Sequence, residues 1–203
     1  MPTQTITLPS KNGEPTWEIA ERFPLQGRWT EREYLREFDD ALVEYTDGRI
    51  ERLPVPTKRH QRVQLYLSDL TRQAAGDGAV YHPPYRIRLP ITQRAMYREP
   101  DVMVLTAEQD ATVGDTDTFC TDALLVMEVV SPDDPDRDYV TKRADYAAAG
   151  VPEYWIVDPI ENRVLVLTLD GDAYREHGSF APGDTATGMV LPSLKVDVAA
   201  LFA

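Results

Sequence analysis

The 203-residue sequence has few of the side chains that build disulfides and zinc sites. Its single cysteine, Cys120, excludes an internal disulfide, and three histidines leave no Cys/His zinc motif. The longest apolar run, residues 123–127, is too short to span a membrane. Residues 1–11 are polar and lack the cationic and apolar segments of a secretory signal. We therefore expect no membrane partner and a location in the reducing cytoplasm.

Basic residues are also scarce. The chain has 21 lysines and arginines against 34 acidic residues, a formal net charge of −13. Proteins that mainly bind phosphate without sequence preference carry a basic footprint, so this balance argues against that class. It leaves room for a local basic patch, or for carboxylates that hold metal ions. The sequence has no GxxxxGK[ST] loop, GxGxxG turn, GxSxG elbow or HExxH pair, so carboxylates remain as the candidate chemistry.

The first part of the chain predicts an arm followed by one domain. Residues 1–28 contain four prolines and no sustained period, which is typical of a loosely ordered arm, and the domain covers residues 29–203. Thr30 and Glu33 have the spacing of a capping box, which predicts a short helix over 31–38. Asp47-Gly48 predicts a tight hairpin between residues 42–46 and 49–53.

The rest of the chain alternates helical and strand periods. A helix of about 17 residues is predicted from Thr57, and a second over 137–149. Continuous apolar residues at 102–105 and 124–130 are typical of strands buried on both faces. The pattern therefore predicts an α/β fold with a central mixed sheet flanked by helices. Other predicted strands are 79–81, 85–89, 153–158 and 163–169, with a hairpin over 170–180.

Two acidic residues stand at unusual positions in this pattern. Glu128 lies in a strand otherwise without polar side chains, where an ionised carboxylate needs compensation. Asp101 opens the apolar run 102–105, and the two carboxylates converge if their strands are neighbours. Such a pair, with water and substrate phosphates, suits Mg²⁺. The structural alternatives are a frayed strand end or an arginine pair for Glu128, and a turn cap for Asp101.

Several basic residues have two interpretations each. Lys142 shares a helical stripe with Tyr139 and Tyr146, so it either snorkels to the rim or meets a buried carboxylate such as Glu128. His60, near the start of the long helix, is either a hydrogen-bonded residue at the core edge or a phosphate contact. Four further basic residues either face solvent or contact nucleic acid. Three form a cluster at the start of the same helix, Lys58, Arg59 and Arg62, and the fourth is Arg143.

The order of these motifs resembles a known nuclease family. Residues 99–104 (EPDVMV) and 127–132 (MEVVSP) look like the PD-(D/E)XK nuclease signature. A second series of motifs is similar to the Uma-two family of "putative restriction endonucleases". It comprises residues 138–142, Tyr146, 149–151 and 153–159 (EYWIVDP). Residues 44–50 and the helix near His60 match that family's N-terminal half, so the similarity covers roughly residues 30–200.

The resemblance implies a restriction-endonuclease-like fold and a metal-dependent endonuclease that hydrolyses DNA phosphodiester bonds. Asp101 and Glu128, with the backbone carbonyl of Val129, would hold Mg²⁺, with Mn²⁺ as a substitute. Glu44 would complete the ligand set, although strand alternation alone predicts that it faces solvent. Residue 130 is a valine where the general signature has a lysine, so the resemblance implies that Lys142 takes that lysine's role.

The expected partners follow from the same resemblance. DNA is the expected substrate, and a homodimer or higher homo-oligomer is the expected assembly, since nucleases of this fold often pair subunits to cut two strands. One alternative is a nuclease-fold binding or dimerisation module without catalysis, which Val130 and the net charge of −13 favour. A third option is a metal-dependent hydrolase that acts on something other than nucleic acid.

Overall fold

The structure is a computed structural model that describes residues 24–38 and 42–203. Most of the predicted arm, residues 1–23, therefore lies outside the described residues, and the domain boundary stays a prediction. The last part of the arm contacts the first hairpin. The Gly27 N–H donates to the Gly48 carbonyl oxygen at 2.7 Å, and the Gln26 side chain bonds both the N–H and the C=O of Ile50.

The two local predictions at the start of the domain are confirmed. Helix α1, Glu31–Glu37, begins with a complete capping box, in which Thr30 Oγ1 accepts from the Glu33 N–H and the Glu33 carboxylate accepts from the Thr30 N–H. Strands β1, Val43–Thr46, and β2, Arg49–Arg52, form the predicted hairpin. Asp47 and Gly48 both have positive φ, at 48° and 90°, as a type I′ turn requires.

This hairpin forms one edge of a five-stranded sheet, in which the strand order is β2-β1-β5-β4-β7. The sheet includes two short strands that the sequence pattern did not predict, β5 and β7, because three or two residues are too few to display a period. Aromatic side chains of α1, β1 and β5, among them Tyr34, Tyr45 and Tyr97, pack together beside this sheet. The remaining strands are β4, Arg86–Leu89; β5, Met96–Arg98; and β7, Phe119–Cys120.

A six-stranded mixed sheet forms the centre of the domain, in the order β11-β10-β9-β8-β6-β3. Strands β8 and β9 are parallel, and the other neighbours are antiparallel. Strands β6 and β8 are buried along their whole length, which explains their continuous apolar sequence. The strands are β3, Ala79–Tyr81; β6, Val102–Leu105; β8, Leu125–Val129; β9, Glu153–Asp158; β10, Arg163–Asp170; and β11, Ala173–Phe180.

Both faces of this sheet are covered. On one face, Val63 and Leu67 of the long helix α2 pack against β6 and β8, together with a small C-terminal unit. On the other face, the core joins the five-stranded sheet to Tyr146 and Ala147. The elements on the first face are α2, Lys58–Ala74; β12, Thr185–Thr187; β13, Lys195–Asp197; and α5, Val198–Phe202. The short helix α3, Ala107–Asp110, follows β6 and has no buried residue.

The helix predicted over 137–149 has a different winding in its first half. Arg137–Lys142 is a π-helix, and it continues into the α-helix α4, Arg143–Ala148. This segment directly follows the turn after β8, so its side chains return over the sheet edge. A π-helical turn is uncommon and is frequently found at functional sites. Among the described residues, no helix is both long and apolar enough to cross a bilayer.

Candidate active site

Antiparallel pairing of β6 with β8 brings Asp101 and Glu128 to the same edge of the central sheet. The register places Val102 opposite Met127, so Asp101 and Glu128 are the next residues along their chains at that edge. Asp101 Oδ2 accepts a hydrogen bond of 2.7 Å from the Val129 N–H. The condition for convergence of the two carboxylates, that their strands are neighbours, is therefore met, and both residues line one open cleft of about 750 Å³.

The first turns of α2 hold Asp101 in place. His60 Nε2 lies 3.2 Å from Asp101 Oδ2, and the Gln64 side chain donates to the Asp101 carbonyl oxygen at 2.9 Å. Burial lowers the pKa of His60, but the hydrogen bond and the negative charge of Asp101 outweigh it, so the net shift is upward. The other ring nitrogen, Nδ1, is buried and has no hydrogen-bond partner among the described residues. His60 is thus a hydrogen-bonded residue at the edge of the core, as the first of its two interpretations predicts.

Glu128 is almost completely buried, and each of its oxygens has its own donor. Its Oε2 lies 2.8 Å from Lys142 Nζ, and its Oε1 accepts a hydrogen bond of 2.6 Å from the hydroxyl of Tyr146. Burial raises the pKa of Glu128, and the nearby charges of Asp101 and Asp138 raise it further, against the lowering effect of Lys142. The compensation that this carboxylate needs therefore comes from a lysine and a tyrosine, not from an arginine.

Lys142 points inward, not to the rim. Its side chain is 7% exposed, and its Nζ also lies 3.5 Å from Asp138 Oδ1 and 3.7 Å from Glu44 Oε1. Burial lowers the pKa of Lys142, but the surrounding carboxylates raise it well above its ordinary range. The side chain is therefore a fixed positive charge beside Glu128.

The prediction from strand alternation that Glu44 faces solvent is wrong. Its carboxylate is completely buried, because both faces of β1 are covered and the face that carries Glu44 meets Arg98, Arg137 and Lys142. Glu44 Oε2 pairs with Arg98 at 3.1 Å and with Arg137, and Oε1 accepts from the Glu99 N–H. Burial opposes ionisation, but Lys142, Arg98 and Arg137 lower the pKa of Glu44 to about 2. Glu44 is thus saturated with cations and is not part of the cleft wall.

Sequence reasoning missed two buried acids that line the cleft. Asp138, four residues before Lys142, has a spacing that places both side chains on one side of a helix, which was an available signal. Glu99 precedes the Pro-Asp pair, and its Oε2 is buried without a hydrogen-bond partner among the described residues. Burial, only partly offset by the ion pair with Arg86, raises the pKa of Glu99 to about 7.

The predicted nucleic-acid contacts lie away from the cleft. Arg59 donates to the Asn162 side chain at 2.7 Å, and Arg62 donates to the Ala203 carbonyl oxygen at 2.7 Å. Lys58 is exposed at the helix start, and Arg143 donates to the Tyr174 carbonyl oxygen at 3.2 Å. None of these four side chains is among the cleft-lining residues.

Two carboxylates, those of Asp101 and Glu128, would meet a cation at this edge of the cleft. In the described ranges, no group of three or more His, Cys, Asp or Glu side chains is arranged to hold a metal ion. This geometry excludes a closed zinc site within those ranges. Mg²⁺ usually binds through one or two carboxylates, waters and substrate phosphates, which matches Asp101 and Glu128 at the cleft edge.

Comparison with known proteins identifies the family. The model of a family described as "Uma2: Putative restriction endonuclease" matches residues 28–199, most of the chain. The chain belongs to the Uma2 family. The Uma2 match includes Glu44, Asp101, Glu128 and Lys142, and it confirms the resemblance to the Uma-two family inferred from the sequence motifs. No curated protein matches the chain.

A solved structure supports the fold of this Uma2 protein. A crystal structure described as "a putative nuclease belonging to DUF820", from Anabaena variabilis, superimposes with a TM-score of 0.69 at 18% sequence identity. The match covers 88% of this chain and 98% of the other. At this identity the likeness concerns the fold alone. The chain has the predicted restriction-endonuclease-like fold, a mixed α/β domain with large sheets flanked by helices.

Proposed function

We propose that this Uma2 protein is a Mg²⁺-dependent endonuclease that hydrolyses DNA phosphodiester bonds in the cleft. The observation that carries the proposal is the placement of Asp101, Glu128 and Lys142 on one cleft wall, with Lys142 Nζ 2.8 Å from Glu128. Two acids and a lysine are the groups that the PD-(D/E)XK signature requires, and here the lysine comes from the π-helix instead of position 130. The family description supports a nuclease in general terms.

Asp101 and Glu128 are the residues that would hold the metal ion, with the backbone carbonyl of Val129 as a third oxygen donor. When bound, the ion would polarise the scissile phosphate and lower the pKa of a bound water. His60 orients the carboxylate of Asp101 through the 3.2 Å contact with Oδ2. The Val129 N–H fixes the same oxygen from the other side. Asp101 is therefore preorganised by two separate elements.

Lys142 supplies positive charge where negative charge develops on the phosphoryl oxygens. Preorganised charge of this kind acts strongly in a site from which water is excluded. Its ammonium group is kept in place by Glu128, Asp138 and Glu44, so little rearrangement is needed when the substrate binds. We assign Glu44 the role of holding Lys142, Arg98 and Arg137, in place of the metal ligand that the family resemblance implies. Assembly as a homodimer or higher oligomer stays a prediction.

Cleavage assays with active-site variants test this proposal. We expect the wild-type protein to cut plasmid or circular single-stranded DNA with Mg²⁺ or Mn²⁺ and to lose activity with EDTA. Asp101→Asn, Glu128→Gln and Lys142→Met should each reduce cleavage by about 100-fold or more, the usual cost of losing one such electrostatic group. Asp133→Asn, an exposed acid on the same cleft, is the control and should retain activity. Cleavage that survives loss of either Asp101 or Glu128 would refute the site.

The same assays separate the enzyme from a binding module. A module without catalysis would bind DNA with no Mg²⁺-dependent cleavage by the wild-type protein. The position of Lys142 inside the cleft wall supports the enzyme, because a solvent-facing lysine could not contribute there.

A further inference from the structure

The mouth of the cleft carries an apolar lip, which we define as Leu42, Leu53, Val55, Pro56 and Leu65. Val55 is 81% exposed and Leu65 is 63% exposed, and both belong to the few large hydrophobic side chains of the described residues that face solvent. An exposed apolar group on the wall of a cleft is typical of a ligand-contacting surface. The lip is continuous with the edge that carries Asp101 and Glu128.

Helix α2 connects the lip to the acids. His60, Gln61, Gln64 and Leu65 all line the cleft, so one side of the helix follows it. His60 contacts Asp101, and Leu65 lies about 7.5 Å further along the helix axis at the normal α-helical rise. A ligand long enough to reach both points contacts the acids with one part and the lip with another.

The cleft offers few free cations to a phosphate backbone. Arg52, Arg137 and Lys142 line it, but Arg137 and Lys142 are already paired with the buried carboxylates of Glu44 and Glu128, which leaves Arg52 as an exposed arginine on the cleft. Asp133 and Asp134, which are exposed on the same cleft, repel phosphate. The basic cluster at the start of α2 directs Arg59 and Arg62 to partners elsewhere on the protein. Proteins hold a DNA duplex mainly through contacts with its phosphates, and this cleft has few groups that can make such contacts.

We infer that the cleft binds unpaired nucleotides of single-stranded DNA, with base faces packed on the apolar lip. The inference rests on the proposed nuclease function and names its substrate class. In a duplex the base faces are stacked inside, and phosphates meet the protein first. In a single strand the base faces are open, and removing them and the aliphatic side chains of the lip from water contributes affinity without charge. Val55 and Leu65 provide that packing next to the site of hydrolysis.

Binding measurements without metal test the lip separately from catalysis. Fluorescence anisotropy with a labelled oligothymidylate of about 16 nucleotides, in EDTA, should show tighter binding than a labelled duplex of the same length. The double variant Val55→Ser/Leu65→Ser should weaken single-strand binding by about tenfold or more, because two apolar side chains no longer lose contact with water on binding. The double variant Ile160→Ser/Met189→Ser is the control, since both side chains are exposed but lie outside the cleft. Circular dichroism and thermal melting establish that each variant is folded.

The outcomes distinguish the inference from the function on which it rests. Tighter duplex binding, or unchanged single-strand binding in the lip variant, overturns the inference even if plasmid is cut. Loss of a dimer in the lip variant, measured by sedimentation, with unchanged DNA binding makes the lip a subunit interface and also overturns it. Lip-dependent single-strand binding without Mg²⁺-dependent cleavage supports the binding surface and refutes the nuclease proposal. Mg²⁺-dependent cleavage that prefers single strands and falls in the lip variant supports both.

Discussion

Lys142 and Glu128 form a buried ion pair, with Nζ 2.8 Å from Oε2, at the point where the central sheet meets the cleft. The pair joins the last part of β8 to the π-helix that follows it. A buried ion pair stabilises a fold only if its geometry is good and its remaining polar atoms have hydrogen-bond partners. Here Tyr146 satisfies the second oxygen of Glu128, and Asp138 and Glu44 lie near the lysine.

Removing the lysine should destabilise the protein as well as inactivate it. Lys142→Met leaves Glu128 and Asp138 buried without their cation, and we expect a loss of about 3 kcal/mol in the free energy of unfolding at pH 8. Urea unfolding at pH 8 measures this. Arg143→Met, one residue further along, is the control, and an equal loss in both variants would contradict the account.

Tyr146 should act as a positioning residue for Glu128. Tyr146→Phe removes the hydroxyl that donates to Glu128 Oε1 at 2.6 Å while keeping the buried ring. Loss of a group that orients a metal ligand typically weakens metal binding by about 10-fold to 100-fold. We therefore expect Mn²⁺ binding to weaken by at least about tenfold. Calorimetry or electron paramagnetic resonance measures this without any cleavage assay. Tyr174→Phe is the control, since its hydroxyl donates to the Val151 carbonyl oxygen, and it should leave Mn²⁺ affinity unchanged.

The buried carboxylate of Glu44 should make stability depend on pH in the acid range. Its pKa falls from an ordinary value of 4.5 to about 2 in the folded protein, so ionised Glu44 stabilises the fold above pH 4.5. That contribution, about 3 kcal/mol at 1.4 kcal/mol for each pKa unit, is lost as the pH falls from 4.5 towards 2. Glu44→Gln should therefore be less stable than wild type at pH 7, by an amount that decreases towards pH 2. Urea unfolding across this range provides the measurement.

Glu51 is the matched control for Glu44. It also pairs with Arg137, but its side chain is 60% exposed, and an exposed ion pair contributes at most about 1 kcal/mol. Glu51→Gln should lower stability by less than about 1 kcal/mol and leave the acid pH profile unchanged. Similar losses for Glu44→Gln and Glu51→Gln would contradict the assignment of Glu44 as the buried anchor of this cluster.

The first hairpin should not tolerate a side chain at Gly48. This residue has φ of 90°, and a Cβ would lie 2.8 Å from the Gly27 carbonyl oxygen. Gly48→Ala combines backbone strain with a clash, and we expect a loss of about 2 kcal/mol or more. Gly171→Ala, with φ of 66° and open space around the position, is subject to the strain alone and should lose less. Thermal melting compares the two variants, and equal losses would mean that the close approach to Gly27 contributes nothing.

Features that depend on neighbouring residues were readily predicted from the sequence. The capping box at Thr30, the turn at Asp47-Gly48 and the 17-residue helix α2 all follow from local hydrogen bonding and a regular period. The burial of β6 and β8 also follows from their composition. Their contact was predicted only conditionally, because pairing joins residues far apart in the sequence.

Features that depend on distant segments were not accessible. The burial of Glu44 requires β5, whose three residues carry no recognisable period, and Arg98 on that strand is its partner. Helical spacing placed Tyr139 on the stripe with Lys142 and Tyr146, and Tyr139 does pack against the cluster that contains Tyr146. The π-helical winding and the hydrogen bond from Tyr139 to Asp158 were not predicted. The roles of the basic cluster depend on Asn162 and Ala203, which no local pattern connects to α2.

A crystal structure with Mn²⁺, analysed by anomalous scattering, tests the central claim most directly. The account predicts an anomalous peak within about 2.5 Å of carboxylate oxygens of both Asp101 and Glu128, and no such peak in Glu128→Gln. A Mn²⁺-dependent active protein whose peak lies elsewhere, or contacts only one of the two carboxylates, would contradict it.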